Sequence, residues 1–248
     1  MRFSELSEDQ QDSFYSYTVS VDVIRNADRS EILQMFRRMN AFTLPLNAAE
    51  KRHSEFFGEF KDWVNTVLDQ YGSILIDWNV LTSRQIVRMA DAEFISDLAL
   101  AMEEGIVSTS PARLRDLYKR YDQTFHPRSM LNDTITDVFN VVLSDLSGLQ
   151  RTHITKAHVF HSLLCALTHN RFGLKGAEEA TGLNPINEYY VDQDRALTSL
   201  RRLAAAHEEK DTAEFGEYVK AASEGGNRAP QRTVRIKWLC RALRGEFA

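Results

Sequence analysis

The sequence predicts a mainly α-helical, multi-helix domain with one or two short strands near its N-terminus. Three observations carry that expectation. Apolar residues recur at three- and four-residue spacing along most of the 248-residue chain. At several helix starts a Thr, Asp or Asn stands three residues ahead of a Glu or Gln. Only one segment alternates polar and apolar residues, and it is rich in β-branched types.

That segment comes first: residues 16–24 set Tyr17, Val19, Val21 and Val23 on one side of a strand. Asp28 with Glu31 then opens a helix whose face carries Ile32, Met35, Phe36 and Met39. Asn47 and Glu50 repeat the signal after Pro45, and the apolar run 56–68 is broken by Gly58. Thr82 and Gln85 start a helix through Ile86, Met89, Phe94, Leu98 and Met102, closed by Gly105. Ser110-Pro111 opens a short helix, because proline suits the first helical position. Two clean stripes follow, Leu131 to Leu146 and Val159 to Leu167. Leu197, Leu200 and Leu203 mark a polar, surface-lying helix. Asp211 with Glu214 caps another, which closes at Gly225-Gly226, and Pro230 opens the last. The small polar loop at 106–110 is the place for a change of domain, giving 1–105 and 106–248.

Composition narrows the class. With 43% hydrophobic and 26% charged residues the chain reads as a soluble globular protein. Its apolar runs are too short to cross a bilayer, and the acidic start lacks the apolar core of a signal peptide. Cys165 and Cys240 sit among apolar residues, which suits a reduced pair in the cytoplasm. The net charge of −5 divides unevenly: residues 228–248 carry +5 and the remainder −10. A basic end on an acidic body points to a local anionic partner, either nucleic acid or an acidic protein surface.

The last helix concentrates that charge. Ile236, Cys240 and Leu243 share one face, while Lys237, Arg241 and Arg244 share another, preceded by Arg228, Arg232 and Arg235. This pattern reads either as a solvated surface helix or as a phosphate-contacting stripe. His158 and His161 share a helix face near His153 and His169, without carboxylates at helical spacing, and read as incidental residues on a partly exposed face. No metal ligand set is assigned. With no Ser-His-Asp set, P-loop, Cys-x-x-Cys pair or Gly-rich fingerprint in the sequence, no catalytic residue is assigned either.

Residues 24–60 carry one longer pattern, with Phe36, Arg38, Asn40, Pro45, Leu46, Asn47, Glu50 and Arg52 in order. This resembles the second half of the GmrSD-type N-terminal domain, a ParB-related domain of unknown function. The resemblance implies that the short N-terminal strands are left over from a ParB-like α/β domain within 1–105. It also implies a helical domain over 106–248 with a basic C-terminal helix. Arg38, Asn40, Glu50 and Arg52 would then bind phosphate or nucleotide, although Asn40 also suits a helix end and Glu50 a capping box. The intact family is an NTP-dependent, nuclease-type restriction protein, using NTP and Mg. Its Asp-Gly-Gln-Gln-Arg motif is missing here, since Gln10-Gln11 has no Asp-Gly before it.

The resemblance therefore implies a non-catalytic, truncated or split component of a restriction or phage-defence protein. Such a chain would be inactive and without cofactor alone. Its partner would be a polypeptide carrying the missing N-terminal half, or a second copy, joined through residues 15–24, with DNA as a further partner and no membrane. The alternative is a stand-alone helical DNA-binding module using Arg228, Arg232, Arg235, Lys237, Arg241 and Arg244.

Overall fold

Local capping chemistry sets where several helices begin. The computed structural model describes residues 3, 6–19, 21, 23, 28, 30–32, 34–35, 45–224 and 226–248. Arg38 and Asn40 lie outside the described residues. Contacts divide the chain into two compact units, Met1–Pro45 and Leu46–Ala248.

In the first unit, Ser7 and Gln10 form a reciprocal capping box that starts α1 (Glu8–Tyr15). The rings of Phe14 and Tyr15 each lie 5.3 Å from that of Phe3. Asp28 and Glu31 exchange the two hydrogen bonds of a second box, as the sequence predicts. Positions 20, 22 and 24 of the expected strand lie outside the described residues. Tyr17, Val19, Val21 and Val23 form no strand and are 66–77% exposed, and no strand occurs among the described residues.

The second unit runs through α2 (Ala48–Glu55), α3 (Glu59–Asp77), α4 (Ser83–Val87), α5 (Ala90–Glu104), α6 (Pro111–Arg120) and α7 (Arg128–Ser144). It continues with α8 (Ala157–Phe172), α9 (Ala177–Thr181), α10 (Gln193–Glu209), α11 (Gly216–Ser223) and α12 (Ala229–Leu243). Asn47 with Glu50 and Thr82 with Gln85 form the predicted boxes of α2 and α4. The single helix expected after Thr82 is two, because Met89 takes φ +63° and turns the chain between α4 and α5. Asp211 and Glu214 do not cap α11. Asp211 accepts the Ala213 N–H, Glu214 pairs with Arg202, and the helix starts at Gly216.

One core runs through this unit. Leu98 before residue 105 and Leu114, Val138, Leu163 and Leu239 after it all belong to it, so contacts divide the chain near 45 and not at 105/106. Helix α8 is buried nearly all round, with Phe160, Leu163, Leu164 and Leu167 at 0% exposure, as befits a central helix. Helix α12 packs against α8, α9, α10 and α11. It is therefore an internal helix and not the surface helix that its basic residues suggest. Truncating one such leucine to alanine costs roughly 2–5 kcal/mol, by lost transfer energy and the cavity left behind.

Candidate functional site

A cleft of about 510 Å³ opens beside α4, α5 and the N-terminus of α8. Leu81, Ala90, Phe94 and Ala157 give it an apolar wall, and Arg84, Gln85, Arg88 and Asn227 line it with polar groups. Asp97 and His161 also line it, and both are more than nine-tenths buried.

Asp97 on α5 is the hub beneath. The Arg232 guanidinium forks onto both of its oxygens, with Nη1 3.1 Å from Oδ1. Arg232 also donates to the Val107 carbonyl at 3.1 Å, and the Thr109 hydroxyl donates to Asp97. Burial works against the carboxylate charge, but His161, Arg232 and Thr109 together outweigh it and hold the carboxyl below its ordinary range. His161 Nε2 lies 3.5 Å from Asp97 Oδ2 and makes no hydrogen bond. Burial is the largest influence on this imidazole and brings it down to about 4 against the pull of Asp97, so the ring is neutral at pH 7. Arg232 is therefore the cation that keeps Asp97 ionised.

Cys165 Sγ lies 3.7 Å from His161 Nδ1 on the same helix, one turn on. Burial pushes this thiol up to about 12, so it keeps its proton. The other ring nitrogen, Nε2, is itself buried and lies against the Asp97 carboxylate. Cys165 and Cys240 are both free and buried.

The basic residues chosen for DNA are placed differently from one another. Arg232 and Arg235, 2% and 0% exposed, are interior groups out of reach of a phosphate backbone. Arg235 donates to Ser162 Oγ at 3.0 Å and to the carbonyls of Ala221 and Gly226, each at 2.9 Å. Its burial, reinforced by Arg232, lowers it to about 10, so it stays charged. Arg241 lies over Trp238 and Phe247 and bonds Glu246, and Arg244 donates to Asn170 and Asn184. Arg228 is exposed and Lys237 half-buried. Sequence spacing could not reveal this, because the partners of α12 come from α5, α8 and the loops after α9 and α11.

The phosphate set is likewise reassigned where it is described. Arg52 is buried and reaches Glu93 at 3.0 Å, while Glu50 completes the α2 cap and pairs with Arg88 at 3.2 Å. Capping uses the Glu50 carboxylate locally, whereas Arg52 keeps Nη1 buried without a hydrogen-bond partner. His161 and His169 are buried, against the expectation of a partly exposed face. His158 Nε2 meets the Ala222 carbonyl at 2.7 Å and His153 stacks on His207. Among the described residues no group of three or more His, Cys, Asp or Glu is placed to hold a metal, and no helix is long and apolar enough to cross a membrane. Asp97, missed from sequence, carried one signal only: an acid on the apolar side of the Phe94–Leu98 stripe. No family model, no curated protein and no solved structure matches the chain.

Proposed function

We propose that residues 46–248 form a binding domain that recognises a small molecule in the cleft and does not transform it. The observation that carries this is the pairing of an apolar wall with the buried polar pair Asp97 and His161 on the cleft floor. Binding is favoured over catalysis because the reactive groups there are already engaged. Asp97 is held by Arg232 and Thr109, and the Cys165 thiol is far from its thiolate. Titration of a polar fragment library followed by NMR tests it. Binders should shift resonances of cleft residues, and Ala157→Trp, which fills the cleft, should abolish their binding while leaving the circular dichroism melt in place. Binding untouched by that variant, or no binder at all, overturns the reading.

A second reading is favoured by the first unit. Tyr17, Val19, Val21 and Val23 alternate and all stand exposed, an arrangement suited to pairing with an edge strand of another polypeptide. On this reading residues 16–24 become a strand only when such a partner edge is present, as the resemblance to a ParB-like domain implies. The resemblance of residues 24–60 to the GmrSD-type domain would make that partner the family's N-terminal half or a second copy. Light scattering after gel filtration should show a dimer, or a complex with the upstream polypeptide, lost in Val19→Asp/Val21→Asp. A wild-type monomer that takes up neither partner rules it out.

A further inference from the structure

Three imidazoles meet where the short helical turn His153–Thr155 packs against α8 and α10. The rings of His153 and His207 stack with centroids 3.3 Å apart and 15° between their planes. The His158 ring stands 6.3 Å from that of His153. His153 is 9% exposed, and its Nδ1 is buried without a hydrogen bond. The other two rings are tied to α11. His158 Nε2 donates to the Ala222 carbonyl at 2.7 Å. Ser223 gives its hydroxyl proton to the Val219 carbonyl, so at 3.1 Å it accepts from His207 Nε2. Each of these rings therefore carries its proton on Nε2, which leaves Nδ1 to take up a second one.

The surroundings disfavour that second proton. Lys156 beside the turn and Arg235 near His158 are cations, and Glu208 next to His207 offsets them in part. Burial is the largest influence on all three rings and lowers each of them, His153 to about 3. A proton on His153 would place charge against a second ring, away from water and among like charges. At neutral pH the rings are uncharged and the stack holds.

We propose that the His153–His207 stack, with His158 beside it, is a proton-sensitive latch that fastens the 153–155 turn to α10 and releases it on acidification. The stacked rings bind protons more weakly than the parted ones, so falling pH favours the parted form. Ile154 stays rooted in the core at 0% exposure, so the release is a local opening and not unfolding. Ala157 and His158 follow the turn and line the cleft, so the same opening shifts the cleft wall. The latch needs no ligand there and is independent of the cleft being a binding site.

The experiment is amide hydrogen exchange on the full chain between pH 8 and pH 5, read as protection factors so that the intrinsic pH dependence of exchange drops out. The amides of Thr155 and Lys156, bonded to the carbonyls of Thr152 and His153 at 3.1 Å, report on the turn. Those of Leu164 and Leu167, in the buried middle of α8, report on unfolding of the whole domain. Protection of the turn should fall about thirtyfold between pH 8 and pH 5, the ratio for one histidine that regains its ordinary value on opening. It should stay below that of the α8 amides throughout. His153→Phe, which keeps a stacked ring without its charge, should remove most of the fall. An equal fall in that variant overturns the latch. In the wild type alone, turn amides whose protection is constant with pH, or merely tracks that of Leu164 and Leu167, overturn it as well.

Discussion

Asp97 shows at the scale of one residue why the interior of this domain is demanding. Removing one partner of a buried ion pair strands the other, which costs far more than breaking a pair in water. Asp97→Asn should therefore destabilise the domain by about 3 kcal/mol in urea denaturation. Glu214→Gln, which breaks the exposed pair with Arg202, should cost about 1 kcal/mol or less. Equal losses in the two variants would show that Asp97 is hydrated. His161 adds a pH dependence of known sign. Its folded value of about 4 lies below its ordinary 6.5, so the unfolded chain binds the proton more tightly. Stability is complete above pH 6.5, falls as the pH drops, and levels off below about 4. The loss is on the order of 3 kcal/mol, and His153, lowered to about 3 chiefly by burial, deepens it in the same direction. Urea midpoints that stay constant between pH 7 and pH 5 would contradict a neutral, buried imidazole. The pairing around Asp97 was not legible from sequence, since Arg232 lies 135 positions from Asp97.

Single elements were legible where their chemistry is local. The boxes at Asp28, Asn47 and Thr82 were readable because donor and acceptor stand three residues apart, and Gly105 because its φ of +88° suits glycine. The same locality made α12 misleading. Its charges fit a surface stripe, and only the helices packed around it show that Arg232 and Arg235 point inward. The split at Met89 escaped notice because apolar periodicity continues across it. Gly58 supplies a test at this scale. Its N–H bonds Asp122 Oδ1 at 2.9 Å, and a Cβ there would collide with the Asp122 backbone. Gly58→Ala should then open the α3 start and lower the thermal midpoint by many degrees, while Gly182→Ala, with open space around it, should lose only the cost of its positive φ. Similar midpoints for the two variants would mean that the loop before α3 moves aside freely.

At the scale of the molecule, the core assigns stability to one unit. Among the described residues, every member of the hydrophobic cluster lies between Phe56 and Phe247, and none comes from Met1–Pro45. A chain of about 200 residues buries enough surface to fold alone. The fragment 46–248 should accordingly keep its helical circular dichroism, unfold in a single cooperative step and melt close to the full chain. The start of the fragment matters, because Asn47 caps α2 and its amide donates to the Arg88 carbonyl at 2.8 Å beside the cleft. A fragment beginning at residue 49 should lose about 1 kcal/mol for the missing cap. It should also loosen Arg88, since the Asn47 amide no longer holds that backbone in the cleft wall. A fragment 46–248 that melts far below the full chain would place part of the stabilising surface in the first unit. Matched melts would confine folding and the cleft to the second unit, leaving the exposed Tyr17, Val19, Val21 and Val23 for contact with another polypeptide.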